Sequence, residues 1–242
     1  MNEARFQSAV ADLPHPRSIA RRNEGPPLTS LQSAERGLIH STAVATPAVD
    51  AFRALRTSLV ATMPGAFVTL VAPVTHGSGG SFVARNLSAA FALDETKSAL
   101  LVDCDLRHPS QHATLRIDPS RGGLVDYLEQ DEIEIEDVLY ETGVTRMHLI
   151  PTGKAREAGT EYLSSLRMRL MLDALRCNQP TRYVFLDGPP VLAGPDARIL
   201  SDSADVVVLV AGHDHDTPAA IARAAASFDP AKFAGVIYNH GV

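Results

Sequence analysis

Tryptophan is absent from this chain of 242 residues, and aromatic residues together make up only 5% of it. Platforms that stack bases or sugars need exposed rings, so there is little material for them. A basic surplus is missing too. The 22 Lys and Arg are outnumbered by 28 Asp and Glu, a formal net charge of -6 that argues against nucleic-acid binding. Cys104 and Cys177 are too few for a disulfide framework and suit a reducing compartment. Long apolar runs are lacking: the longest, Leu59 to Val74, is broken by Pro64, Gly65 and Pro73. A spanning helix needs about 20 apolar residues in succession. The polar start, with Glu3, Arg5 and Asp12, does not resemble a signal peptide. A soluble cytoplasmic protein is expected, with any membrane role arising through a partner.

What is present suits a single α/β domain, since 45% of residues are hydrophobic and 21% charged. Residues 1–46 are rich in Pro, Arg, Ser and Glu and read as a flexible arm; residues 47–242 read as the domain. Val49–Met63 has helical spacing through Phe52, Leu55 and Leu59. Further helices are expected over Ser81–Leu93, Tyr162–Cys177, Asp196–Ser203 and Pro218–Phe228. Between them lie short β-branched runs: Phe67–Val71, Ala99–Val102, Met147–Ile150, Tyr183–Leu186, Val206–Val210 and Gly235–Tyr238. Apolar runs without alternation predict strands covered on both faces. The fold class is therefore a doubly wound, mostly parallel α/β sheet with helices on both faces, to which the motifs and resemblance below add the P-loop NTPase type. Its ligands would bind at the carboxyl ends of the strands.

Three of those ends carry chemistry. The first strand runs into Thr75-His76-Gly77-Ser78-Gly79-Gly80-Ser81 and then a helix. Converging backbone amides and a helix N-terminus at such a turn can hold a phosphate, which makes Gly77, Gly79, Gly80 and Ser81 candidate nucleotide contacts. Asp103 and Asp105, two residues apart at the second strand end, can reach a Mg²⁺ shell and a phosphoryl acceptor. Asp187 closes the run Val184-Phe185-Leu186 as a Walker B acid would. Cys104 between the acids reads as a small buried hydrophobe. His213-Asp214-His215-Asp216 holds ligand types that suit zinc, but adjacent residues project apart, and a polar loop at the site's edge is the preferred reading.

With these motifs the chain resembles the bacterial tyrosine kinases of capsule and exopolysaccharide synthesis, from about Pro47 to Asn239. Val102-Asp103-Cys104-Asp105-Leu106-Arg107-His108-Pro109 follows that family's second acidic motif, and Val184–Pro190 its Walker B strand; its next acid corresponds to Asp196. The resemblance implies ATP or ADP with Mg as cofactor, Ser81, Asp103 and Asp187 around the metal, and Asp103, Asp105 and Asp187 in catalysis. It places Asn239 near the adenine. Asp50, Arg53 and Arg56 match the helix that joins subunits into a homo-oligomeric ring. The implied partner is an inner-membrane polysaccharide co-polymerase, or chain-length regulator, which would hold the protein peripheral to the inner membrane.

Two departures bear on activity. Gly80 stands where the family's phosphate loop carries lysine, and Phe82 where it carries threonine. Arg85, read as a surface residue, and Arg107 are the cations near enough in sequence to substitute. Related kinases also phosphorylate a tyrosine-rich tail, and with Val242 three residues beyond Asn239 none is expected here. The resulting expectation is a catalytically impaired regulator, a pseudokinase, of polysaccharide biosynthesis and export. The alternatives are an active tyrosine kinase assisted by its membrane partner, and a positioning-type P-loop ATPase.

Overall fold

The computed structural model describes residues 26–39, 47–157, 159–177 and 180–240. In chain order the elements are α1 (Ser30–Glu35), α2 (Pro47–Thr62), β1 (Val68–Pro73), α3 (Gly80–Ala92), β2 (Ser98–Asp103), α4 (Gln111–Thr114) and α5 (Leu124–Glu129). They continue with β3 (Tyr140–Glu141), β4 (Met147–Ile150), α6 (Thr160–Leu163), α7 (Leu166–Cys177) and β5 (Arg182–Asp187). The last are α8 (Asp196–Ser203), β6 (Val206–Gly212), α9 (Pro218–Ala225) and β7 (Phe233–Asn239). The strands form one sheet in the order β3-β4-β2-β5-β1-β6-β7, parallel throughout except for β3 against β4.

Both faces of the central strands are apolar, and this is why the runs show no alternation. Leu70, Leu100, Val102, Val184, Leu186 and Leu209 point into one core, filled from α5, α7 and α8 by residues such as Leu124, Met168 and Leu200. Val71, Leu101, Phe185 and Val208 point into the other, against α2 and α3. There Phe91 is fully buried, with ring centroids 4.6 Å from Tyr183, 5.0 Å from Phe185 and 6.2 Å from Phe67. The edge strand β7 is covered less completely, leaving Val236 and Tyr238 exposed.

The sequence-based elements are recovered with three differences. The expected helix Tyr162–Cys177 is two helices, α6 and α7, separated at Ser164 and Ser165, where the Ser165 hydroxyl accepts from the Met168 N–H at 3.1 Å. That contact starts a new helix rather than continuing the old one. The two-residue strand β3 was not anticipated, being too short to carry a period. Residues 26–39, assigned by composition to the arm, include α1, which opens on a capping box between Thr29 and Gln32. Leu38 and Ile39 are buried beside α3, and Ile39 N donates to Asn86 Oδ1 at 2.8 Å. The rest of the expected arm, residues 1–25 and 40–46, lies outside the described residues. Among the described residues no helix is long and apolar enough to cross a membrane.

The Phe91 ring is the hinge of the α3 packing, so Phe91→Ala should lower the unfolding free energy by about 3–5 kcal/mol. Equilibrium denaturant titration reads this as a fall in midpoint with little change in slope.

Candidate functional site

The loop from β1 into α3 lies at the carboxyl end of the sheet. Gly77 and Gly79 have φ of 86° and 89°, the left-handed region that glycine tolerates. Gly79 caps α3 without any side-chain hydrogen bond, so the first amides of the helix stay available to an anion. Asp216 braces the loop: its Oδ1 accepts from Thr75 Oγ1 at 2.5 Å, and its Oδ2 from Ser78 Oγ at 2.6 Å and Gly212 N at 2.7 Å. Burial opposes the charge on Asp216, but the hydrogen bonds from Ser78, Thr75 and Gly212 prevail and hold its carboxyl below the ordinary range. The acid that closes the His213–Asp216 run is thus a loop anchor, a role not apparent in the sequence. His215 assists, its Nε2 lying 2.7 Å from the carbonyl oxygen of His76. Asn239 reaches over from β7, and its Nδ2 donates to Ser78 O at 3.1 Å. A Cβ on Gly79 would lie 2.0 Å from that nitrogen, so Asn239 sits directly on the phosphate loop.

Gly80 is more than a missing lysine. A Cβ at this position would lie 2.6 Å from Cδ and 2.9 Å from Cγ of Pro73. The rigid proline ring occupies the space that any side chain at position 80 would need. Glycine at position 80 and the Pro73 ring fit together, and a larger residue at either place must displace the other.

Asp103 and Asp187 are register partners at the ends of β2 and β5, and both are fully buried. Asp103 Oδ2 accepts from the backbone N–H groups of Ser110 and Gln111 at 3.1 and 3.0 Å. Asp187 Oδ2 accepts from Gln111 Nε2 at 2.6 Å. The other carboxylate oxygen of each, Oδ1, is buried with no hydrogen-bond donor among the described residues. Burial, then the charge of Asp187, pushes Asp103 well above the usual carboxylate range. Burial also raises Asp187, against hydrogen bonds from Gln111 and Ser81 and the attraction of Arg85. Two such groups in one enclosure favour holding a proton between them.

Gln111 was missed from sequence, because a lone glutamine beyond an acidic motif carries no pattern. It is fully buried; Nε2 also donates to Ser81 O at 2.9 Å, and Oε1 accepts from Arg85 Nη1 at 3.0 Å. Arg85 corrects an expectation. It is not on the surface but 6% exposed, because its position on α3 turns it toward β5 and Gln111. Arg107 is directed elsewhere, with Nη2 3.2 Å from Asp196 Oδ2. Asp105 turns back to accept from His108 N at 3.1 Å, and Cys104 is a fully buried core residue whose thiol burial pushes up. On α2, Asp50 and Arg53 pair with each other at 3.7 Å on the exposed face, while Arg56 donates to Ala90 O at 3.0 Å.

The donor set suits a hard divalent cation in kind: two enclosed carboxylates with unpartnered oxygens, and the Ser81 hydroxyl beside them. Asp103, Asp187 and Ser81 are the residues that would hold Mg²⁺, which would neutralise phosphate charge there. The backbone cradle beside them would take the phosphates themselves.

No protein-family model matches the chain. EpsB of Ralstonia solanacearum is 36% identical over 174 residues, covering 71% of this chain and 22% of that protein. The tyrosine-protein kinase CpsD of Streptococcus agalactiae is 27% identical over 190 residues, covering 78% of this chain and 81% of its own. The kinase domain of the Escherichia coli tyrosine kinase ETK superposes with a TM-score of 0.73 at 25% identity, over 90% of this chain and 88% of that one. The chain spans about a quarter of the length of the first curated relatives it matches.

Two outcomes follow from the geometry. Gly80→Lys alone should destabilise by about 1–3 kcal/mol through overpacking on Pro73. Pairing it with Pro73→Gly should recover much of that loss, a coupling that a double-mutant cycle by denaturant unfolding measures. Burial and the neighbouring charge of Asp187 hold the folded pKa of Asp103 well above its unfolded value. The stability it contributes is therefore full at acid pH and is lost as pH rises toward that folded pKa. In EDTA, the stability of Asp103→Asn relative to wild type should rise with pH between pH 5 and pH 8, by at most about 1.4 kcal/mol per pH unit, as denaturant unfolding across that range reads.

Proposed function

The chain is a divergent member of the bacterial tyrosine-kinase family, and from that premise we propose that it binds nucleotide at the β1–α3 loop but is impaired in phosphoryl transfer. In this reading it regulates exopolysaccharide or capsule assembly and export by binding rather than by catalysis. The observation that carries it is the seating of the Pro73 ring against Gly80, which shuts out the side chain that would bring a point charge to the β- and γ-phosphates. Losing one such group from a closed site costs on the order of 3 kcal/mol in the transition state, roughly a hundredfold in rate.

Ground-state binding depends less on that charge. The uncapped amides of α3, the left-handed glycines and the anchors Asp216 and Asn239 support a formed cradle. Docking on a membrane chain-length regulator of the polysaccharide machinery, as a homo-oligomer through Asp50, Arg53 and Arg56, is the partner arrangement this reading favours. Asp50 and Arg53 are exposed on α2 and open to a neighbour. The unpartnered oxygens of Asp103 and Asp187 support a second reading, a kinase that becomes active once a partner supplies the missing cation.

Calorimetry with Mg-ADP on the full chain should show weak, saturable binding that Asp187→Ala abolishes. Incubation with Mg-ATP should yield no phosphotyrosine above background. Robust autophosphorylation by the isolated wild type, lost in Asp103→Asn, would overturn the proposal; phosphotyrosine appearing only with the membrane partner would favour the second reading.

A further inference from the structure

Two carboxylates enclosed side by side need positive charge close by, or one must give up its own. The phosphate loop offers none, because Gly80 has no side chain and Pro73 fills its place. The fold brings Arg85 to the acids instead, from one turn further along α3 than Ser81. Its Nη1 bonds Gln111 Oε1 at 3.0 Å, and Gln111 Nε2 passes the contact on to Asp187 Oδ2 at 2.6 Å. Gln111 has no solvent exposure and Arg85 only 6%, so the chain of contacts is screened little by water. Gly37 backs the guanidinium: a Cβ there would stand 3.5 Å from Arg85 Nη2. Attraction to Asp187 supports the charge on Arg85 against its burial. The nearby cations Arg107 and Arg56 are committed to Asp196 and to Ala90 O.

We propose that Arg85, acting through Gln111, is a positioning residue that takes the electrostatic place of the absent loop lysine. It offsets the charge of Asp187 within the Asp103–Asp187 pair, so the pair is held without a divalent cation and takes one weakly in the absence of nucleotide. This rests on the reading of the loop as a nucleotide site and names the charge that serves it. A fixed cation one residue away from the acids raises the cost of bringing Mg²⁺ to them. Removing it should raise divalent affinity roughly tenfold or more at the effective dielectric of such sites.

The test is Mn²⁺ titration of the nucleotide-free full chain by electron paramagnetic resonance, with thermal melting in EDTA and in MgCl₂. Wild type should take up Mn²⁺ weakly and melt at the same temperature in both buffers. Arg85→Met should melt lower in EDTA, regain stability in MgCl₂ and bind Mn²⁺ at least about tenfold tighter. Arg85→Lys, which keeps the charge, should follow wild type, whereas a purely structural arginine would not be rescued by lysine or by metal. Where Arg85→Met does not fold, Arg85→Gln gives the same comparison. The proposal is overturned if the neutral variants bind Mn²⁺ no tighter than wild type, or if wild type itself binds tightly and is stabilised by MgCl₂. Calorimetry of wild type with ADP, run in parallel, separates the two ideas: absent ADP binding with the Mn²⁺ pattern intact strikes only the nucleotide reading.

Discussion

The enclosure of Asp103 beside Asp187 is the constraint around which the carboxyl end of the sheet is arranged. Parallel pairing of β2 with β5 makes the two residues register partners, so like charges are forced together wherever both acids are retained. Burial compounds the cost by removing the water that would otherwise screen them. The protein meets it with local donors: the amides of Ser110 and Gln111 on one acid, the Gln111 side chain on the other, and Arg85 behind the glutamine. That the short helix α4 begins at Gln111 is therefore part of the site, since the same backbone turn that starts it points two N–H groups at Asp103.

The phosphate loop is built with equal care and to a different end. Asp216, His215 and Asn239 come from strands β6 and β7 and their connections, and they tie the loop at Thr75, His76 and Ser78. On the same loop the Pro73 ring packs closely against Gly80. The geometry that binds a phosphate and the charge that transfers one depend on different atoms, the backbone amides in one case and a side-chain cation in the other. In the proposed reading the amides at the start of α3 remain available to a phosphate, while Arg85 stands behind Gln111 on the flank of the same helix.

Kinship with the bacterial tyrosine kinases accounts for the scaffold without dictating what the scaffold does. The likeness extends over most of this chain yet over about a quarter of the first curated relatives, which are longer proteins. Chemistry resides in a handful of residues at strand ends, and likeness of fold does not carry it from one protein to another.

Much of the fold was legible in the residues alone. Unbroken apolar runs such as Val206–Val210 imply strands covered on both faces, and helical spacing through Phe52, Leu55 and Leu59 implies α2, because these patterns are set by local geometry of the chain. The strand-end acids Asp103 and Asp187 and the glycines of the loop were legible for the same reason: each lies within a short stretch whose chemistry is continuous in sequence. The glycine at position 80 was equally plain as an absence. Its meaning was not, since Pro73 stands seven residues earlier and meets it only after the chain turns from β1 into α3. Arg85 reads as a surface residue in sequence but α3 turns it inward, Gln111 carries no pattern of its own, and Asp216 sits in a His-Asp run whose residue types do not reveal its bonds to Thr75 and Ser78. The sequence by itself determined the architecture and the acids, which depend on neighbours along the chain. Only the tertiary structure decided where the compensating charge and the loop anchors come from, because burial and hydrogen-bond partnership are set between segments that the sequence holds apart.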